Sequence, residues 1–174
     1  TGSIAAYKAT DLASKLTQAG AQVDVILTNS AEKFVTPLTF QSVTGRRAYT
    51  DNDLWGNEAH VLHIGLGKTA DLMMIAPATA NTLARLANGI ADNLLTVTAL
   101  AARCPLLVAP AMDGGMYQHP ATQANLDTLR QRGVQIVGPD LDEELLLRGL
   151  RLLERLLGAL LDRFDLVGLV EDAL

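Results

Sequence analysis

The sequence predicts an α/β fold whose core is an open parallel sheet, on the strength of two kinds of segment. Short and nearly continuous apolar runs, DLMMIAP (Asp71 to Pro77) and PLLVAP (Pro105 to Pro110), are typical of strands covered on both faces. Segments with helical periodicity, opened by proline or closed by glycine, lie between such runs. Strands that alternate with helices predict right-handed crossovers between parallel strands.

The chain opens with a turn and a helix. The turn TGS at residues 1–3 leads into a helical pattern with Ile4, Leu12 and Leu16 on its apolar side. Gly20 is the left-handed stop of this helix. In an open parallel sheet such a turn normally follows a first strand, so we expect a strand that precedes Thr1.

The next segments predict one strand and two short helices. Branched residues alternate from Gln22 to Thr28, as they do in a strand. The segments SAEKF and TPLTFQSVTG carry the start signals of two short helices. The stretch from Arg46 to Asn57 is polar and irregular, and no element is predicted there.

Beyond Pro77 the pattern alternates again between helices and strands. ATANTLARLANG predicts a helix closed by Gly89, and ADNLLTVTALAA predicts another. The strand PLLVAP is followed by a helix that begins at Pro120 and is closed by Gly133. VQIVG is the last predicted strand.

The C-terminal segment has a simpler composition than the rest of the chain. From Leu141 to Phe164, leucines recur at spacings of three and four with charges among them. This pattern predicts an amphipathic helix for packing or oligomerisation, with a partner-binding face or an unnatural segment as the alternatives. We therefore divide the chain into a domain over residues 1–140 and a leucine-rich helical tail over residues 141–174.

Composition restricts the class of protein. The 174 residues, 49% of them hydrophobic, suit one domain with a single core, and the net charge of -5 makes nucleic acid an unexpected partner. The single cysteine, Cys104, forms no internal disulfide or cysteine-cluster metal site, which fits a reducing compartment. No run reaches the ~18 apolar residues of a membrane span, and no signal peptide is visible, so we expect a cytoplasmic protein without membrane contact.

Ligand chemistry is expected in the turns that follow the strands, because ligands of open parallel sheets bind at the carboxyl ends of strands. The four turns are TGS, TNSAEKF, APATANT and APAMDGGMY, all rich in small and hydroxyl residues. A phosphate at the first turn would meet the amino end of a helix, which favours negative charge.

The sequence also argues against several common kinds of functional site. GxGxxG, GxSxG and the P-loop pattern do not occur, which argues against dinucleotide binding, serine hydrolysis and nucleotide triphosphate hydrolysis. His60 and His63 have a spacing that suits a metal pair, but no nearby acid or cysteine completes it, so no metal is predicted. Asn81 and Thr82 lie in the ligand turn APATANT, and the alternative to ligand binding is that they cap the helix behind this turn.

Taken together, three segments resemble the flavin-dependent cysteine decarboxylases, and within that family the enzymes that act on phosphopantothenoylcysteine in coenzyme A biosynthesis. The segments are GSIAAYK, HIGLGKTADLMMIAPATANTLARLANGIADNLL and PAMDGGMY. The resemblance covers residues 1–139 and leaves the tail unmatched. It implies a flavodoxin-like, Rossmann-type fold with a doubly wound parallel sheet in three α/β/α layers. It also implies FMN as cofactor, in a homotrimer or dodecamer with the flavin at subunit contacts, and a possible fusion to the phosphopantothenate-cysteine ligase domain.

The resemblance assigns roles residue by residue. His63 matches the family's catalytic histidine. Asp113 and Met116 match the substrate-binding PxMNxxM motif. The positions that match flavin contacts are Gly2, Ser3, Thr28, Ser30, Thr79, Ala80, Asn81, Thr82 and Ala111.

The implied reaction oxidises the thiol of the substrate's cysteine to a thioaldehyde, which loses carbon dioxide because a thiocarbonyl can hold the electrons that the departing group leaves.

The sequence departs from the family pattern at three places. Asp113 replaces an asparagine that holds the substrate's carboxylate, with helix capping as its alternative role, and Tyr117 replaces a tryptophan. The flap with a cysteine that follows the last strand in the family is replaced by the leucine-rich tail, and Cys104 is interpreted as a small core residue.

Other functions stay open at this point. A flavin-binding regulatory or interaction protein without turnover would fit the missing flap and Asp113. A decarboxylase of peptidyl cysteine, or a relative of the flavin prenyltransferases, fits less well, because His63 and the PAM motif together favour a cysteine decarboxylase.

Overall fold

The computed structural model describes residues 1–55 and 59–138, except for the side chains of residues 59–61. The predicted tail lies outside the described residues. The helices are α1 (Ala6–Gln18), α2 (Pro37–Thr44), α3 (Ala59–Thr69), α4 (Ala80–Asn88), α5 (Leu94–Ala101), α6 (Gly114–Gln118) and α7 (Pro120–Gln131). The strands are β1 (Val25–Leu27), β2 (Ala48–Thr50), β3 (Met73–Ala78), β4 (Leu106–Pro110) and β5 (Gln135–Ile136). Two 3-10 helices cover Ala31–Lys33 and Asp51–Trp55.

All strand pairs are parallel, as predicted. In the described residues β1 pairs with β2, and β4 lies between β3 and β5. Strand and helix alternate along the chain, which confirms the α/β class. The strand expected before Thr1 stays a prediction.

Helix ends follow the signals that the sequence carries. Thr36 caps α2 by accepting the amide of Thr39, and Gly45 ends that helix with φ 66°. Asn93 and Thr96 form a capping box at the start of α5. Gly89 and Gly133 end α4 and α7 with φ 68° and 82°, in the left-handed region that favours glycine. The predicted ends of these helices are therefore confirmed.

Three expectations need correction. The stretch that begins at Arg46 is not irregular as far as Trp55, since β2 and the Asp51–Trp55 helix lie there. The strand predicted from Gln22 to Thr28 is confined to β1. Ile4 is 75% exposed rather than apolar-facing, because α1 begins two residues after it.

The core consists of two clusters of buried side chains. The larger one packs helices α4, α5 and α7 on the sheet of β3, β4 and β5, and it includes Ile75, Leu83, Val108 and Leu126. The smaller one lies around β1 and β2 and includes Leu27 and Phe40. Within the described part of the chain, each helix is too short or too polar to cross a bilayer.

Helices α3 and α5 approach each other closely at Gly67. A Cβ built on Gly67 would lie 3.0 Å from Ala101 C and Ala102 N, and 3.1 Å from Thr98 O. The amide of Arg103 also donates to Gly67 O at 3.2 Å. Because these neighbours are backbone atoms, a side chain at residue 67 would push the two helices apart.

We predict that Gly67→Ala lowers the free energy of unfolding by about 1–3 kcal/mol, the usual cost of overpacking. Gly65→Ala is the matched control in the same helix, because its added Cβ meets nothing within 4 Å. Alanine there should raise the free energy of unfolding by up to about 1 kcal/mol, through helix propensity. Urea denaturation followed by circular dichroism measures both values. Equal stability of the two variants would contradict the close approach.

Candidate functional site

The first two of the four predicted ligand turns touch at Gly2 and Ser30. A Cβ built on Gly2 would lie 2.4 Å from the Cβ of Ser30, which is closer than real Cβ atoms approach. Ser30 is exposed at the start of the 3-10 helix that follows β1. Glycine is therefore required at residue 2 for these two turns to meet.

The first and third turns are joined by the side chain of Thr1. Its hydroxyl donates to Pro77 O at 2.7 Å and accepts the amide of Thr79 at 3.1 Å. One hydroxyl thus satisfies a carbonyl and an amide at the carboxyl end of β3.

The third and fourth turns are joined by the sheet. Ala78 is in register with Pro110, and the amide of Ala111 donates to Ala78 O at 3.0 Å. The structure therefore brings all four turns to one edge of the fold, as predicted. We call residues 1–3, 28–30, 78–82 and 110–113 the turn cluster.

The hydroxyl groups of the second and third turns have local partners. The hydroxyl of Thr28 accepts the amide of Ala31 at 3.3 Å. Thr79 is the N-cap of α4 and accepts the amide of Thr82, and the two hydroxyls are 3.1 Å apart. The alternative in which Asn81 and Thr82 cap this helix is wrong, because Thr79 does so. Asn81 is exposed, and Ala80 beside it is small and half-buried.

The first turn leads into α1 without a side-chain cap or an acid in the first turn of the helix. The hydroxyl of Ser3 accepts the amide of Ala5 at 3.3 Å. No carboxylate therefore competes with an anion at this helix end.

The fourth turn carries Asp113, Met116 and Tyr117. Asp113 is exposed and caps the short helix α6, accepting the amide of Gly115 at 2.8 Å. This confirms the capping role considered for it and leaves its predicted substrate role untested. Met116 is 52% exposed, whereas Tyr117 is buried in the larger core cluster.

His63 lies on α3, which packs against α5 and the Asp51–Trp55 helix. Its Nδ1 is inaccessible to solvent and has no hydrogen-bond partner among the described residues. A buried ring nitrogen without a partner costs about 1–3 kcal/mol and needs an explanation, which a ligand or a second subunit would provide. Within residues 1–55 and 59–138, the Nδ1 of His63 therefore makes no hydrogen bond to the turn cluster.

Asp51, which follows β2, was not among the residues selected from the sequence. Its Oδ2 accepts the amide of Asn29 and its Oδ1 accepts the amide of Leu94, both at 3.1 Å. An acid directly after the strand-like triplet Ala-Tyr-Thr was the available signal, but β2 itself was not predicted.

Cys104 is half-buried rather than fully in the core, and burial raises the pKa of its thiol. A raised pKa lowers the thiolate fraction at neutral pH, which disfavours nucleophilic chemistry at this residue. In the described ranges no three His, Cys, Asp or Glu side chains are grouped as metal ligands would be.

The chain is similar to curated proteins that are much longer than itself. It is 51% identical over 138 residues to the coenzyme A biosynthesis bifunctional protein CoaBC of Bacillus subtilis (strain 168). The aligned part is 79% of this chain and 34% of that relative, so the chain spans about a third of the relative's length.

Solved structures of similar proteins have the same fold. FMN-dependent cysteine decarboxylase SpaF superposes with a TM-score of 0.73 at 40% identity, over 81% of each chain. A mutant PPC decarboxylase complexed with pantothenoylaminoethenethiol superposes with a TM-score of 0.75 at 34% identity, over 88% of this chain and 94% of that one. These similarities confirm the flavodoxin-like α/β fold.

The model of one protein family, described as Flavoprotein, matches residues 1–171. Since this match extends over far more than half of the sequence, the chain belongs to the Flavoprotein family.

Proposed function

We propose that this chain binds FMN and decarboxylates phosphopantothenoylcysteine to phosphopantetheine in coenzyme A biosynthesis. The observation that carries the proposal is the turn cluster, in which four small-residue turns meet at the carboxyl ends of parallel strands. The similarity to PPC decarboxylase over most of both chains supports this substrate.

The residues of the turn cluster fit a flavin nucleotide. A side chain at Gly2 would collide with Ser30, so glycine lets the first two turns lie in contact. The turns that meet here carry the neutral hydroxyls of Ser3, Thr28 and Thr79, and the start of α1, which has no side-chain cap, suits a phosphate. The contacts proposed for FMN are Gly2, Ser3, Thr28, Ser30, Thr79, Ala80, Asn81, Thr82 and Ala111.

The bound flavin would supply a two-electron sink for oxidation of the substrate's thiol and return of those electrons. The protein's part is to orient the substrate and to handle protons. His63 is proposed to exchange the thiol proton through its imidazole, whose buried Nδ1 lacks a partner among the described residues. Asp113 and Met116 are proposed to line the substrate side, since both are exposed beside the fourth turn.

The proposal includes a cytoplasmic homotrimer or dodecamer with the flavin at subunit contacts. Large apolar side chains that this chain leaves exposed support an oligomer, among them Trp55 at 87% and Leu100 at 67%. The greater length of CoaBC supports fusion to a phosphopantothenate-cysteine ligase domain.

The direct test is to purify the natural polypeptide that carries this sequence. We expect a flavin absorption spectrum and release of carbon dioxide from phosphopantothenoylcysteine. Bound flavin without turnover of this substrate or of peptidyl cysteine would favour the regulatory alternative. A protein that takes up no FMN would overturn the proposal.

We predict that His63→Asn retains bound FMN and lowers kcat about 10²–10⁴-fold, the usual contribution of a proton-transfer group. His119→Asn is the matched control, because the Nδ1 of His119 caps α7 through the amide of Ala121 and asparagine caps helices well. Flavin absorbance and initial rates measure the two effects. Full turnover in His63→Asn would refute the catalytic role.

We predict that Gly2→Ala weakens FMN binding about tenfold or more, because its Cβ forces the first two turns apart. Adding Ser30→Gly removes the Cβ that lies 2.4 Å away, and with it the hydroxyl proposed to contact FMN, so the double variant should regain part of the affinity lost in Gly2→Ala. Gly114→Ala, which meets nothing within 4 Å, is the control. Fluorescence titration with FMN gives the Kd values. Equal Kd values for Gly2→Ala and Gly114→Ala would place FMN elsewhere.

A further inference from the structure

The Asp51 carboxylate connects two segments that are distant in sequence. Its two oxygens accept the backbone amides of Asn29, 22 residues earlier, and Leu94, 43 residues later. Asn29 lies between Thr28 and Ser30 in the second turn, and Leu94 is the first residue of α5. One side chain therefore links the turn cluster to a helix that contributes no residue to it.

The attachment point on α5 is well fixed. Asn93 and Thr96 form a capping box there, and Asp51 satisfies an amide that the box leaves free. A carboxylate at this end is also favoured by the helix dipole. At the carboxyl end of α5, a Cβ built on Gly67 of α3 would lie 3.0 Å from the backbone of Ala101, so α3 and α5 are in close contact there.

The second turn has no comparable anchor of its own. Asn29 and Ser30 are exposed, and the recorded bonds of Thr28 are made to Ala31 and Glu32 within the same turn. Thr28 is buried, so the exposed part of the turn, Asn29 and Ser30, is tied to distant parts of the described chain by the contact with Gly2 and by the Asp51 bond.

We infer that Asp51 is a positioning residue for cofactor binding, which holds the Thr28–Ser30 turn at the amino end of α5 in the conformation that accepts FMN. The inference rests on the proposed FMN binding. Its mechanism is preorganisation: the apparent Kd equals the intrinsic Kd divided by the fraction of molecules in which the turn is correctly placed.

The neighbouring Asp53 provides a matched control. It lies in the same 3-10 helix, but it accepts the amide and hydroxyl of Thr50 and pairs with Arg47, all within six residues. Asp51→Asn and Asp53→Asn each remove one negative charge from this helix. Only the first removes an acceptor that reaches the turn cluster, because an asparagine amide retains a single oxygen.

The experiment is FMN titration of the apo forms of wild type, Asp51→Asn and Asp53→Asn, with thermal unfolding of each apo form recorded beside it. We expect the Kd of Asp51→Asn to rise about tenfold, which corresponds to loss of one charged hydrogen bond. The visible circular dichroism of the bound flavin should also change. Asp53→Asn should lower the unfolding temperature while the Kd stays within about twofold of wild type.

A Kd for Asp51→Asn within twofold of wild type, or equal rises in both variants, overturns the inference and leaves FMN binding intact. A wild type that takes up no FMN overturns the proposed function and this inference with it. Amide hydrogen exchange in the wild type tests the link without a variant. FMN should slow exchange at both Asn29 and Leu94, and protection at Asn29 alone overturns the inference.

Discussion

The parallel pairing of β3 with β4 is the constraint on which the candidate site depends. Their register places Ala78 opposite Pro110, and the amide of Ala111 continues the pairing by donating to Ala78 O at 3.0 Å. Beneath this edge Ile75 and Val108 are almost completely buried, so neither strand can slide. The third and fourth turns therefore leave the sheet side by side, and small residues there keep the backbone accessible.

The other half of the site is held in a different way. The first two turns adjoin α1 and β1, which contribute to the smaller core cluster, and hydrogen bonds join the first turn to the end of β3. Thr1 reaches Pro77 and Thr79, while Asp51 reaches Leu94. These hydrogen bonds, each worth about 1 kcal/mol, thus add to the apolar packing of Ile26 of β1 against the larger cluster. A ligand that contacts all four turns would add to these links and would stabilise the folded state.

Elements that depend on local sequence signals were predictable, whereas contacts between distant residues were not. Strands β3 and β4 are apolar runs, and the ends of α2, α4, α5 and α7 carry caps or glycines, so these elements were predictable. Strand β2 has three residues and flanking charges, which hide it in a polar stretch. Helix α3 contains Gly65 and Gly67, which argue against a helix until the contact of Gly67 with α5 is known. The four turns were predicted because strand ends are local features, whereas the bonds of Asp51 connect residues 22 and 43 positions apart.

The structure changes how the aspartate at residue 113 is interpreted. Its cap on α6 uses one oxygen to accept the amide of Gly115, and an asparagine would do the same, so capping gives no reason for a carboxylate. In the proposed substrate role, its negative charge would oppose the carboxylate of the substrate. Because Asp113 is exposed, the repulsion is that of two charges in a medium close to water, about 1 kcal/mol at 4 Å. This corresponds to a loss of about fivefold in substrate affinity, which weakens binding without preventing it. The aspartate is therefore compatible with the proposed decarboxylase function, in which its effect would fall on KM rather than on the chemical step.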